Sequence, residues 1–348
     1  MIFASDNCGP ALPEVMDAVI TANTGFEASY GADTIMEEVR ARLQAEFEAP
    51  EAAIYLVSTG TAANALALST LAKPWDTIFC TPLAHIQIDE CHAPEFYTGG
   101  GKLTLAGEQD KMTPEALDTA IQAWTKGDVH TSQRGPLSLT QVTERGRVYS
   151  LDELSALSQV AKAHGLTTHM DGARFANAMA ALDCSAAEMT WKAGIDAVSF
   201  GGTKNGCLGV EAVIFFDPKH AWEFELRRKR GAHLFSKHRY LSAQMLGYLK
   251  GDVWKHAAAA TNAKAARMID GLRAAPQFEF LFEPAANMIF ATLPRRIHRA
   301  LWEAGARYEV HGDLEGPDED RLGMRLVVGW SVDETDIDRF VEIASAAP

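Results

Sequence analysis

No uninterrupted apolar run in this sequence approaches the length of a membrane span. The opening MIFASDNCGP lacks the basic start of a secretory leader, so neither membrane insertion nor export is expected. Cysteine is sparse and unpaired. The five cysteines, at 8, 80, 91, 184 and 207, form no Cys-x-x-Cys pair, and their odd number disfavours a disulfide framework. A reducing, cytoplasmic setting is expected. Positive charge is in deficit: 32 Lys and Arg face 46 Asp and Glu, for a net charge of -14. That balance argues against nucleic acid or an anionic membrane as a partner of the whole surface, and still allows a local basic pocket for a small anion. No G-x-G-x-x-G spacing is present, which disfavours a nicotinamide dehydrogenase. Internal repeats and low-complexity segments are also missing.

The rest is the patterning of a globular α/β chain. At about 150 residues per domain, 348 residues predict two domains with a cleft between them. Ile35, Val39, Leu43 and Phe47 recur every four residues and predict a helix over 33–49, with Asp33 or Thr34 as N-cap. Short apolar strands are expected at 52–58, 77–81, 136–142, 166–170, 197–202 and 210–216. Helices are expected at 59–72, 113–124, 151–164 and 173–182. The alternation implies an α/β fold with a mostly parallel central sheet covered on both faces. Beyond about residue 235, strands at 277–282, 287–292 and 324–328 mix with helices at 295–304 and 333–345, while 311–321 reads as an exposed loop. The composition shifts around 230–250. The expected division is a large domain over 1–240 and a small α+β domain over 241–348, the first residues packing with the small one.

Three polar segments fall at strand ends, where open α/β sheets bind ligands. Ser58-Thr59-Gly60-Thr61-Ala62-Ala63-Asn64 combines small residues with a helix start, which suits a phosphate. Alone it reads equally well as a tight turn. His169-Met170-Asp171-Gly172-Ala173-Arg174 places an aspartate at a strand end, where in isolation Asp171 reads equally well as a helix cap. Ser199-Phe200-Gly201-Gly202-Thr203-Lys204-Asn205-Gly206 buries a lysine among glycines. Together they match what pyridoxal 5'-phosphate (PLP) requires: a Schiff-base lysine (Lys204), a carboxylate for the pyridine nitrogen (Asp171) and phosphate donors. At about 3 Å and an effective dielectric near 20, a carboxylate–pyridinium pair gains roughly 5 kcal/mol of gross attraction. That keeps the ring protonated and electron-withdrawing at neutral pH.

Over nearly the whole chain, SDN, YGAD, STGTAAN, PLAHI, HMDGARFANA, SFGGTKNG and MRLVVGW resemble the low-specificity L-threonine aldolases, of the fold-type-I aspartate-aminotransferase superfamily. The resemblance implies a PLP enzyme that cleaves L-threonine and related β-hydroxy-α-amino acids to glycine and an aldehyde. It gives Lys204 the covalent attachment, Asp171 the pyridinium, and Gly60 and Thr61 the phosphate. His85 would stack on the ring, and Ser5, Arg174 and Arg325 would hold the substrate carboxylate. Tyr30 would approach from a neighbouring subunit of a homodimer or homotetramer. A β-eliminating lyase or an aminotransferase could use the same lysine and aspartate, and a catalytically silent relative is the reading from another class.

One departure from the family pattern stands out. Many members carry a histidine in the loop after the strand at 136–141, and here Ser138 to Gly146 contains none, Thr143 aligning nearest. The base for the β-hydroxyl is therefore open among His85, Glu144 and a bound water. Arg227-Arg228-Lys229-Arg230 reads as a solvated helix face or as a source of one phosphate-reaching arginine. His85, Asp89, Glu90 and His92 match no metal-binding template, and no metal is expected.

Overall fold

The computed structural model describes residues 1–346. The larger sheet contains β1 Ala53–Val57, β2 Asp76–Cys80, β3 Lys102–Leu105, β4 Gln133–Thr140, β5 Thr168–Gly172, β6 Ala197–Gly201 and β7 Glu211–Phe215. They lie in the order β1-β7-β6-β5-β4-β2-β3. Every residue of β5, β6 and β7 is buried, as expected of short apolar strands covered on both faces. β3, at the edge, is short and partly exposed, and its Lys and Thr residues carry no apolar run to reveal it in sequence.

All neighbours in this sheet pair in parallel except those of β7, which runs antiparallel to both β1 and β6. The cause is the connection. Residues 202–210 are too few for the crossover that a parallel partner needs, so the chain turns straight back. The carboxyl ends of β1 and β6 therefore share an edge with the amino end of β7, where Glu211 pairs with both Val57 and Gly201.

The expected helices form with their ends shifted by a few residues. Thr34–Glu46 is capped by Asp33, whose side chain accepts from the Met36 N–H at 2.9 Å. Leu151–Ala163 starts with a reciprocal Ser150–Glu153 capping box. Helix Pro13–Ala22 was not expected from the sequence, and it packs on helix Arg239–Leu249.

The smaller sheet contains β8 Glu279–Phe280, β9 Met288–Pro294, β10 Glu309–His311 and β11 Arg321–Val327, antiparallel in the order β10-β11-β9-β8. β10 and the start of β11 sit at the two ends of the stretch that reads as a loop in sequence. The second core gathers Ile289, Leu293, Met324, Leu326, Leu301 and Phe340. Phe3 joins it: its N–H donates to the Arg307 carbonyl at 2.8 Å, and its own carbonyl accepts from the Val327 N–H at 2.8 Å. Helix Val253–Arg273 runs across both units. Trp254 and Ala258 pack in the larger core, and Ala265, Met268 and Leu272 in the smaller. No helix among the described residues is long and apolar enough to cross a membrane.

Candidate active site

The strand ends and the smaller sheet enclose a cleft with two lobes that share Asn7, His85 and Lys204. One lobe contains Ser58, Thr59, Gly60, Thr61, Asn64, Asp171 and Glu211. Helix Gly60–Leu71 opens onto it. Thr59 caps that helix: its hydroxyl accepts from the Ala62 N–H at 3.2 Å and its carbonyl from the Ala63 N–H at 3.1 Å. The turn at Gly60 and Thr61 is thereby the positive end of the helix dipole. A side chain at Gly60 would meet nothing within 4 Å, so this cradle has room for an anion.

Asp171 ends β5 and is buried. Its Oδ1 accepts from the Ala173 N–H at 3.0 Å, as a local cap would. Its Oδ2 accepts from the Asn64 amide at 2.9 Å. The same Asn64 amide donates to Glu90 Oε1 at 2.9 Å, and His85 Nδ1 lies 2.8 Å from that oxygen. His85, Glu90 and Asp171 thus bring side-chain atoms within 4.8 Å of one another, as a hydrogen-bonded group joined through Asn64. His92 lies outside it, exposed and bonded to Glu95 at 3.0 Å. The hydrogen bond to Glu90, with help from the Asp171 charge, holds the His85 imidazole above its ordinary pKa against the effect of burial. Burial likewise raises Glu90. One layer below, His169 lies between Ser138 Oγ at 3.1 Å and Ser199 Oγ at 3.0 Å, and burial pushes it down to about 4, so it stays neutral.

Lys204 follows β6 in a turn that only glycine can build. A Cβ on Gly201 would lie 2.5 Å from the Ala173 carbonyl oxygen, and Gly206 has φ +117 with Leu12 packed against it. The charge of Arg174, and then burial, hold the Lys204 amine below the ordinary lysine range, although Asp6, Asp171 and Glu211 pull the other way. Glu211 enters this lobe because β7 is reversed. It accepts from the Gly202 N–H at 2.8 Å, and burial pushes it up to about 7.

The other lobe, about 470 Å³, contains Ser5, Glu144, Arg145, Arg174, Glu309 and Arg325. Arg174 Nε and Nη2 bind Asp6 at 2.7 and 3.0 Å, which spends half of its fork on the chain itself. Burial would raise Asp6, but Arg174 and Lys204 outweigh it and keep the carboxylate charged. Arg325 Nη2 lies 2.8 Å from Glu309 and 3.2 Å from the Ala4 carbonyl, and its buried Nε has no hydrogen-bond partner among the described residues.

Of the residues singled out from sequence, Gly60, Thr61, Asp171, His85, Lys204, Ser5, Arg174 and Arg325 all line this cleft. Tyr30 lies in neither lobe. It is half-exposed on the surface, with the Lys229 ammonium 5.2 Å from its ring. The basic run is divided: Arg227 pairs with Glu223 at 2.7 Å, and buried Arg228 stacks 5.0 Å from the Tyr55 ring. Thr143 is buried against Asp110 at 2.5 Å, outside both lobes, and its neighbour Glu144 faces the cleft instead. Asn64, Glu90, Asp6 and Glu211 were not singled out for the site. Asn64 did leave a signal: an asparagine is a poor residue for the interior of an alanine-rich helix unless its amide has a partner.

A half-buried lysine with a lowered pKa, a fixed carboxylate and a helix-end anion cradle on an open, mostly parallel sheet define a fold-type-I PLP-dependent enzyme. The comparisons narrow this class. The beta-eliminating lyase family model matches residues 3–293. A low specificity L-threonine aldolase of Pseudomonas aeruginosa is 39% identical over 344 residues, covering 98% of this chain and 95% of the relative. Another, from a Pseudomonas sp., is 41% identical over 335 residues, covering 95% and 93%. The structure of a Leishmania major threonine aldolase superimposes with a TM-score of 0.90 at 26% identity, covering 99% of this chain and 98% of that one. This chain belongs to the beta-eliminating lyase family, in its low-specificity L-threonine aldolase branch.

Proposed function

We propose that this enzyme cleaves the Cα–Cβ bond of L-threonine, L-allo-threonine and related β-hydroxy-α-amino acids, releasing glycine and an aldehyde. The observation that carries this reading is the sharing of Lys204 and His85 by an anion-cradling lobe and an arginine-lined lobe. Lys204 would hold PLP covalently, Gly60 and Thr61 would take its phosphate, and Asp171 would pair with the pyridinium nitrogen. His85 would complete the cofactor's surroundings. When bound, the cofactor supplies the electron sink for the pair left at Cα.

The residues of this chain do the rest. Asn64 holds Asp171 in place. Arg174, with the part of its fork not bound to Asp6, joins Arg325 and Ser5 on the substrate carboxylate. That grip would fix the orientation of the Cα–Cβ bond. We read the two sheets as the cores of a large cofactor-binding domain and a smaller C-terminal one. The enzyme works in the cytoplasm as a homodimer or homotetramer, its partners being amino-acid substrates rather than nucleic acid or membrane. In that assembly the exposed Tyr30 reaches the neighbouring subunit's site.

An aldehyde-release assay on PLP-saturated protein tests the activity, with L-threonine, L-allo-threonine and their D-isomers compared. Equimolar aldehyde and glycine from the L-isomers is expected. Pyruvate and ammonia would instead mark β-elimination, and a pyridoxamine form would mark transamination. Lys204→Ala should lose both the covalent cofactor absorbance and aldehyde release, and a retained band would sink the lysine assignment.

A further inference from the structure

Resting on the aldol reading above, we propose that Glu144 is the base that takes the proton of the substrate's β-hydroxyl, with Oε2 as the accepting atom. Glu144 lines the substrate lobe with Lys204, His85, Arg174 and Arg325. Its Oε1 is engaged, accepting the His85 backbone N–H at 2.9 Å. Its Oε2 is buried with no partner at hydrogen-bond geometry among the described residues, the Thr140 hydroxyl acting on the carboxylate without closing such a bond to Oε2. A buried carboxylate oxygen without a donor is costly, and a hydroxyl brought in by substrate supplies the donor.

The neighbours leave this task to Glu144. His85 spends Nδ1 on Glu90, and its raised pKa keeps the ring protonated further toward neutral pH, which suits a donor better than a base. Thr143 is neutral and committed to Asp110. Burial pushes Glu144 up to about 7, while the Thr140 hydroxyl and backbone N–H groups, including that of His85, pull it down. A base is most effective with its pKa near the working pH. Two environments that push neighbouring titratable groups toward different protonation states are a common way to divide acid from base.

The step balances. The β-O–H bond breaks and its proton goes to Glu144. The electron pair of that bond becomes the aldehyde C=O π bond. The Cα–Cβ bond breaks, and its pair stays at Cα until a proton from Glu144 or solvent completes glycine. Withdrawing a proton from the β-oxygen also works against loss of that oxygen as hydroxide or water, which requires adding one. Glu144 thereby favours C–C cleavage over elimination.

The test is Glu144→Gln, which keeps the size of the side chain and its acceptor for the His85 N–H. The turnover of L-threonine should fall by about 10²- to 10⁴-fold. KM and the affinity for glycine, which has no β-hydroxyl, should stay near wild type. Glu144→Asp should recover part of the rate. Independently of turnover, infrared difference spectra of cofactor-free wild-type and E144Q protein should show a carboxylic-acid band that fades through neutral pH only in wild type. Subtracting E144Q separates it from Glu211, which burial also places at about 7. Of the other groups that bear on Glu144, Asp171 is present in both proteins and cancels in the difference, and the Cys80 thiol and Tyr149 phenol, both raised by burial, contribute no carboxyl band. Unchanged turnover in E144Q beside an active wild type overturns Glu144 alone. So does a side chain that titrates in the ordinary acid range. A wild type that releases no aldehyde from any β-hydroxy amino acid overturns the aldol reading, and Glu144 with it.

Discussion

The lobe around Gly60 and Asp171 is walled by the ends of β1, β5, β6 and β7 of one sheet, whereas the lobe around Ser5 and Arg325 draws on the N-terminus, the His85 turn, the loop after β4 and the smaller sheet. In the first, Ser58, Asp171, Lys204 and Glu211 each sit at or close to a strand terminus, and backbone groups hold two of them: Ala173 N–H on Asp171, Gly202 N–H on Glu211. In the second, side chains hold one another across long stretches of sequence. Arg174 grips Asp6 and Arg325 grips Glu309. A strand end is a rigid mount for a cofactor that stays, while a lobe assembled from two units can be adjusted to its substrate without disturbing that mount.

Substitutions on either side should separate these roles. The largest effect is expected in the cofactor lobe. Asp171→Asn removes a pairing worth several kcal/mol and should slow aldehyde release by roughly 10²-fold or more, with covalent cofactor still visible by absorbance. A near-normal rate would detach Asp171 from the chemistry and leave it as a helix cap.

Arg174 comes next, because it lines the lobe around Arg325 while its charge also bears on Lys204, which the two lobes share. Arg174→Lys keeps the charge but loses the fork, and kcat/KM for L-threonine should fall about 10- to 100-fold, chiefly through KM, as for the loss of a charged hydrogen bond. Arg174→Gln also removes the charge that holds the Lys204 amine down. A lowered pKa puts the neutral amine within reach at lower pH, so losing Arg174's charge moves that midpoint up. The pH dependence of cofactor uptake by cofactor-free protein should therefore shift upward in R174Q and stay in place in R174K. A shift in neither would show that Arg174 acts on substrate alone, and a shift in both that its geometry rather than its charge sets the Lys204 midpoint.

The smallest effect on rate is expected beside the site. Thr143→Val breaks the bond to Asp110 and should cost about 1–3 kcal/mol of stability in a denaturant titration, with turnover near wild type. If T143V instead lost turnover as E144Q is expected to, the boundary between structural and catalytic residues in this loop would be misplaced.

Much of the lobe around Gly60 and Asp171 was legible in the sequence because its parts are local. A phosphate turn must be made of small residues before a helix, and a lysine that follows a buried strand needs glycines around it, since any Cβ at Gly201 collides with the next backbone. Asp171 and Lys204 could therefore be paired as one site before their positions were known. The lobe around Arg325 was readable only through resemblance, and the sequence left His85, Glu144 and a bound water as equal candidates for the base, because nothing in the spacing tells that Thr143 and Glu144 turn opposite ways.

What the sequence determined by itself was thus the alternation of strands and helices and the identity of the groups at the strand ends, both set by local spacing and backbone sterics. The tertiary structure decided the rest. It reversed β7 because nine residues cannot make a crossover, and so brought Glu211 to Lys204. It buried Thr143 and turned Glu144 inward, joined Asn64 to Asp171 and Glu90, and seated Asp6 on Arg174 across 168 residues of sequence. These pairings depend on which surfaces meet when the two sheets close around the cleft, and no spacing within a single element encodes that.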